Sequence, residues 1–157
     1  MSKKILALVL ALILCAALLT GCPASEKEID TAKLYNSLKS DLAFKDELID
    51  MEMSAILNHY FFDDANVIEE ALVCKSASGA TAEEIAVITV KSVSDVESVK
   101  AAVEMRVEDL AFNFENYVPA EMDKIENAVV ATSGRYIILA VADDSAAAQE
   151  IIDSYIK

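Results

Sequence analysis

The sequence predicts an α+β domain built on a mainly antiparallel sheet of about four strands. Three observations favour this class. Two pairs of strand-like segments are each joined by a short loop, a long amphipathic helix separates the pairs, and shorter helical segments flank them. We expect the long helix and the C-terminal helix to pack on one face of the sheet, and the single domain to span residues 31–157.

Two helices are predicted ahead of the first strand. In residues 31–42 and 48–61, apolar side chains recur at the spacing of one helix face. The apolar positions are Leu34, Tyr35, Leu38 and Leu42 in the first segment, then Ile49, Met53, Ile56, Leu57 and Tyr60 in the second. Each of these helices therefore has one face that can be buried.

The first pair of strands is predicted at residues 70–76 and 84–91, joined by a loop at residues 77–81. The second strand of this pair is nearly apolar on both faces and rich in β-branched residues. Such a strand is typical of the centre of a sheet, because both of its faces need cover.

The longest helix is predicted between the two pairs. Ser94 and Glu97 have the S-x-x-E spacing of a capping box, and Pro119 ends the helix because a proline disfavours helical backbone at the residue before it. Its apolar stripe consists of Val96, Val99, Val103, Val107, Leu110, Phe114 and Tyr117. We expect this stripe to pack on the sheet.

The second pair of strands is predicted at residues 128–132 and 135–141, after a short helical turn. Ser133 and Gly134 between them give the two-residue spacing of a tight hairpin. A final helix comes after a capping segment, Asp143-Asp144-Ser145. The buried face of that helix is marked by Ile151, Ile152, Tyr155 and Ile156.

Residues 1–21 have the pattern of a signal peptide. Lys3 and Lys4 precede fifteen consecutive apolar residues at positions 5–19. This run is shorter than the ~20 residues that a transmembrane helix needs, whereas it suits a secretory signal. An export signal is therefore predicted rather than a permanent membrane span.

The residues Leu19-Thr20-Gly21-Cys22 that end this segment resemble the bacterial lipobox. The resemblance implies cleavage between Gly21 and Cys22, and attachment of a diacylglycerol thioether to Cys22. Acyl chains such as palmitate would then hold the protein at the extracytoplasmic face of the cell membrane, since two chains on one residue give stable anchoring. The partner predicted by this motif is the membrane, contacted through the lipid.

Residues 22–30 are polar and are predicted to be a short tether between the lipid and the domain. The whole chain carries a formal charge of −14, and removal of residues 1–21, with two lysines and no acid, makes it −16. Nucleic acid is excluded as a partner, because phosphate binding needs clustered lysine and arginine. Cys74 remains without a second cysteine for a disulfide once Cys22 is lipidated.

Four short patterns connect the chain with a known family. They are Glu84-Ile85-Ala86-Val87, Arg106, Tyr117-Val118-Pro119 and Gly134-Arg135-Tyr136. In this order, behind the lipobox, they resemble small bacterial lipoproteins, found mainly in Gram-positive Firmicutes, that carry the domain of unknown function numbered 4358. The resemblance covers about residues 48–157, and Thr89 departs from it. It implies a surface location and no known activity, so no catalytic residue is carried over.

Three residues are candidates for chemistry. His59 is the only histidine, and it could be a general base, but the favoured interpretation is a histidine on a helix surface. Cys74 beside Lys75 could be a reactive thiolate, although a small buried hydrophobic residue is favoured. Arg106 could bind an anionic ligand, but a salt bridge to Asp109 or Glu104 is favoured.

The acidic residues give no clear metal site. Asp63, Asp64 and Asn66 could supply oxygen ligands to Ca²⁺, yet their spacing does not match an EF-hand loop, and a solvated turn is favoured. No phosphate-binding loop, nucleophile elbow or zinc-protease motif is present in the sequence. We therefore assign no cofactor, no metal ligand and no catalytic residue.

The favoured function is a non-enzymatic, lipid-anchored binding module that contacts a protein or a small ligand at the cell surface. One alternative is a small cell-envelope hydrolase or redox protein that uses His59 or Cys74. A second alternative is an acidic module that binds divalent cations. The identity of the ligand or partner stays open.

Overall fold

A computed structural model describes residues 28–157. The signal peptide, the cleavage site at Gly21 and the lipidation site at Cys22 lie outside the described residues. Within the described range there are five α-helices, α1 (Thr31–Asp41), α2 (Met53–Tyr60), α3 (Val96–Phe114), α4 (Met122–Glu126) and α5 (Ser145–Ile156). None of these helices is both long enough and apolar enough to cross a membrane.

The sheet of this described part has five strands, β1 (Leu48–Asp50), β2 (Ile68–Ser76), β3 (Glu84–Val90), β4 (Val129–Ser133) and β5 (Tyr136–Val141). The strand order is β1-β2-β3-β5-β4, and every neighbouring pair is antiparallel. The predicted α+β class and the two hairpins, β2–β3 and β4–β5, are confirmed. β3 is a central strand, as its apolar faces predict.

The fifth strand, β1, occupies residues that the sequence assigned to the second helix. Leu48 pairs with Ser76 and Asp50 pairs with Cys74 in an antiparallel register. The backbone N–H of Met51 then donates to the carbonyl of Val73, 2.8 Å away. α2 therefore begins only at Met53. A three-residue edge strand is too short to leave a period in the sequence.

The two faces of the sheet are covered by different helices. The buried residues form two cores, one on each face of the sheet, and alternate residues of β3 belong to different cores. Ile85 and Val87 pack with α1 and α5, whereas Ala86 and Ile88 pack with α2, α3 and α4. The expectation that α3 and α5 share one face is therefore wrong. The physical reason is that β3 and β5 are buried along their whole length, so each needs a layer of helices on both sides.

The helix ends agree in part with the expected caps. The Asp144 carboxylate accepts a hydrogen bond from the Ala147 N–H and caps α5, as predicted. The predicted capping box at Ser94 does not form, because a 3₁₀ turn over Val93–Asp95 precedes α3 and is capped by Ser92. Gly134 has φ +54° in the β4–β5 turn, a conformation that glycine adopts without a steric penalty.

Candidate functional site

Two consecutive glutamates at the start of β3, Glu83 and Glu84, form the most unusual feature of the described residues. Both are almost completely buried, at 1 % exposure each. Buried carboxylates are costly unless donors surround them, and successive residues of an extended chain direct their side chains to different sides. The two glutamates therefore organise two separate polar networks.

The Glu84 carboxylate is surrounded by donors from α2 and α3. Tyr60 donates through its hydroxyl to Oε1 at 2.6 Å, and His59 Nε2 lies 3.1 Å from Oε2. Arg106 donates to Oε2 through Nη2 at 2.8 Å and through Nε at 3.1 Å. This Glu84 network ties β3 to two of the three helices on that face of the sheet, α2 and α3.

The electrostatics of the Glu84 network favour the ionised carboxylate. Burial by itself raises the pKa of Glu84, but the hydrogen bonds from His59 and Arg106 outweigh burial and lower this pKa from 4.5 to about 2. The pKa of Tyr60 is raised well above its ordinary value, first by burial and then by the negative charge of Glu84. Glu84 is therefore an anion and Tyr60 a neutral donor near pH 7.

The sequence places these donors through ordinary helix geometry. His59 and Tyr60 are the last two residues of α2, and Tyr60 stacks on Phe62 with ring centroids 5.5 Å apart. Arg106 lies on α3 beside the buried Val103, so the helix face that packs on the sheet also delivers the guanidinium. The network thus depends on the packing of α2 and α3.

The Glu83 carboxylate joins two loops, the one before β1 and the one between β2 and β3, to α4. It accepts from the Lys45 N–H at 2.8 Å, the Asp46 N–H at 3.0 Å, the Thr81 hydroxyl at 2.8 Å and the Lys124 ammonium at 3.0 Å. The Lys124 ammonium also lies 3.0 Å from the carboxylate of Glu121. These contacts fix the loops at this end of the sheet.

A cavity of about 130 Å³ lies between the loop end of the β2–β3 hairpin and the C-terminal half of α3. Lys75 and Arg106 contribute cationic side chains to its lining, beside Glu83 and Glu84. Lys75 is directly opposite Glu84 in the β2–β3 register. The remaining lining residues are Ser76, Gly79, Thr81, Ala82, Leu110, Asn113 and Phe114.

The structure separates the two residues of the hydrolase or redox alternative. His59 is only 16 % exposed and belongs to the Glu84 network, so the expected surface position is wrong. Cys74 is buried in the core on the opposite face of the sheet, and burial raises the pKa of its thiol. His59 and Cys74 therefore do not belong to one site.

Arg106 forms a salt bridge, but with a different partner from the two that the sequence suggested. Its guanidinium pairs with Glu84, whereas Glu104 pairs with Lys100 one turn away on the same helix. Sequence reasoning missed Glu84 as a site residue. The sequence does contain a pattern that points to Glu84. A carboxylate that opens an apolar central strand needs a buried cation, and Arg106, which lies beside an apolar stripe, can supply one.

The acidic turn after α2 has a structural role. Asp64 accepts from the Asn66 backbone N–H at 2.8 Å and caps the 3₁₀ turn Ala65–Val67. Across residues 28–157, no three side chains of the types His, Cys, Asp and Glu come together in a way that could hold a metal ion.

Comparison with known proteins gives one match. A family model described as "Domain of unknown function (DUF4358)" matches residues 45–142. This range contains the strands β1–β5, the helices α2–α4 and all residues of the Glu84 network. No curated protein and no solved structure matches the chain.

Proposed function

The chain belongs to the DUF4358 family, whose members carry a domain of unknown function, and from this premise we propose that it is a lipid-anchored bacterial lipoprotein with a non-enzymatic binding domain. It acts at the extracytoplasmic face of the cell membrane, in Gram-positive bacteria of the Firmicutes type. Cys22 carries the lipid, and the folded body presents a ligand-binding cavity.

The anchor is supported by the sequence of residues 1–22. A basic start, fifteen apolar residues and the segment Leu19-Thr20-Gly21-Cys22 occur in the order and at the spacing of a lipoprotein signal. Ile29 is buried against the body, and its N–H donates to the Tyr136 hydroxyl at 3.3 Å. Only a few residues therefore separate Cys22 from the fold, which would keep the body close to the bilayer.

The cavity beside the Glu84 network is the observation that supports binding. It is open to solvent between β2–β3 and α3, and its floor is held in place by the contacts of Glu83 and Glu84. His59 and Arg106, which could otherwise act on a substrate, direct their hydrogen bonds to Glu84. A rigid pocket in which Glu83, Glu84 and Arg106 are held by contacts within the protein suits recognition better than proton transfer.

Metabolic labelling tests the anchor. Cells that express the wild-type chain, Cys22→Ala or Cys74→Ala are fed an alkyne analogue of palmitate, and the purified protein is examined for label. We expect label on the wild-type chain and on Cys74→Ala, and none on Cys22→Ala. Label that persists in Cys22→Ala, or its absence from the wild-type chain, would refute the lipoprotein proposal.

A further inference from the structure

We propose that the cavity between β2–β3 and α3 binds a carboxylate group carried on a short apolar chain. This inference rests on the proposed binding function and specifies the ligand class of that same site. Three properties of the lining support it: the state of its acceptors, the state of its donors and the nature of its apolar wall.

The acceptors of the lining carboxylates are already occupied. Glu84 accepts from His59, Tyr60 and twice from Arg106. Glu83 accepts four hydrogen bonds from protein groups. A carboxylate offers about four lone-pair sites, so these two groups have little capacity left for a donor on a ligand. A cationic or hydroxyl-rich ligand would therefore find few partners here.

The two cationic side chains of the lining keep unused donors, although its hydroxyl groups are engaged: Ser76 donates to Asp46 and Thr81 donates to Glu83. Lys75 is half-buried, and its ammonium makes no hydrogen bond or ion pair within residues 28–157. Arg106 directs Nε and Nη2 to Glu84, while Nη1 has no partner among the described residues. Glu84 lies opposite Lys75 in the register, but its acceptors are taken by other donors, so an anion that reaches Lys75 gains a charge-assisted hydrogen bond.

The lining favours an organic anion over an inorganic one. Ala82, Leu110 and Phe114 form an apolar wall beside the two cationic side chains. The cavity of about 130 Å³ has room for a ligand of several heavy atoms. A carboxylate with a short aliphatic chain fills both parts, whereas inorganic phosphate would leave the apolar wall uncovered.

Two sources could supply this chemistry at a cell surface: a free short-chain acid, or the C-terminal carboxylate of a peptide with small apolar residues. Both place one carboxylate at Lys75 and an apolar group against Phe114. They differ beyond the apolar group, because a free acid ends there, whereas a peptide continues out of the open side of the cavity.

Nuclear magnetic resonance titration tests the proposal on the full chain in detergent micelles at fixed ionic strength. The probes are propionate, its neutral isostere propionamide, inorganic phosphate, and acetyl-alanyl-alanine with a free or an amidated C-terminus. We expect saturable shifts of the Lys75, Gly79 and Asn113 amides with propionate, and weaker binding of propionamide and phosphate. Tighter binding of the free-carboxylate peptide than of propionate would support the proposal and identify a peptide as the source; weaker binding would support it and identify a free acid.

The variants change Lys75, whose ammonium has no partner among the described residues, and leave the residues of the Glu84 network unchanged. Lys75→Gln should weaken propionate binding by at least about tenfold, the size expected for a charge-assisted hydrogen bond. Lys75→Arg should restore most of the affinity, and Lys33→Gln, which removes an exposed lysine outside the cavity, should leave it unchanged.

The outcomes separate this proposal from the function on which it rests. Equal binding of propionamide and propionate, or equal affinity of Lys75→Gln and Lys33→Gln, would overturn the carboxylate class while leaving a binding cavity. The absence of saturable shifts with every probe would also overturn the proposal. The lipoprotein anchor is decided separately by the labelling of Cys22.

Discussion

Glu84 is a buried anion, and hydrogen-bond donors from three side chains offset the free-energy cost of removing its carboxylate from water. Removing a carboxylate from water is expensive, and the interaction with Arg106 compensates only because His59 and Tyr60 satisfy the remaining lone pairs. Such a group contributes little net stability when paired, but it is strongly destabilising when one partner is lost. The network therefore specifies how α2 and α3 meet β3.

The lowered pKa of Glu84 makes the unfolding free energy depend on pH in the acidic range. Its value of about 2 in the folded chain lies below the ordinary 4.5, so its contribution is fully present above pH 4.5 and is lost as the pH falls toward 2. Over this window, the shift corresponds to roughly 3 kcal/mol of unfolding free energy. Urea unfolding of the wild-type chain between pH 5 and pH 3 measures the upper part of this loss.

Glu84→Gln is the control for this pH dependence. The variant is less stable at pH 7, because Arg106 loses its counter-charge, but its unfolding free energy should fall less steeply between pH 5 and pH 3. Other carboxylates with lowered pKa values, such as Glu83 and Asp143, contribute equally to both proteins. Identical slopes for the two proteins would contradict the assignment.

The partner of Arg106 shows where residue-level prediction reaches its limit. On a helix, the neighbours at three and four positions can be read from the sequence, which is why Asp109 and Glu104 were candidates. Glu84 lies 22 positions away and meets Arg106 only after α3 has packed on β3. The presence of a salt bridge was predictable from the amphipathic position of Arg106, whereas its partner required the tertiary fold.

At the scale of elements, periodicity predicted the long helix and most of its buried face. Val96, Val99, Val103 and Leu110 are buried as expected. Tyr117 is 85 % exposed, because α3 ends at Phe114 and the stripe does not continue beyond it. The side of the sheet that a helix covers was not predictable, since an amphipathic face packs equally well on either face of a fully apolar strand.

Removing each of two cationic side chains on α3 should change the stability of the protein by very different amounts. Arg106 is 15 % exposed and pairs with the buried Glu84, whereas Lys100 pairs with Glu104 at the surface. Arg106→Ala should lower the unfolding free energy by about 3–5 kcal/mol, because it leaves a buried carboxylate without its cation. Lys100→Ala should leave the urea midpoint close to that of the wild-type chain. Similar midpoints for the two variants would contradict the prediction that the loss of Arg106 leaves Glu84 as a costly buried charge.

At the scale of the whole molecule, the two cores share one sheet. Ile56 belongs to the core formed with α2, α3 and α4, and Ile152 belongs to the core formed with α1 and α5. β3 and β5 contribute alternate residues to both, so neither core can open without exposing the back of the same strands. The described residues should therefore unfold as one cooperative unit.

Matched truncations in the two cores test this cooperativity. Ile56→Ala and Ile152→Ala each remove a fully buried side chain from a helix, and each should cost about 2–5 kcal/mol. Far-ultraviolet circular dichroism and tyrosine fluorescence should report one coincident transition in both variants, and the double variant should be close to additive. Two separate transitions would indicate that the faces of the sheet unfold independently.

The central claim for the whole molecule is that this domain is held at a cell surface by a lipid on Cys22. Mass spectrometry of the N-terminal peptide, from protein extracted out of the membrane fraction, tests it most directly. We predict a peptide that begins at Cys22 and carries the added mass of a diacylglyceryl group. A peptide that retains residues 1–21, or one that begins at an unmodified Cys22, would contradict the claim.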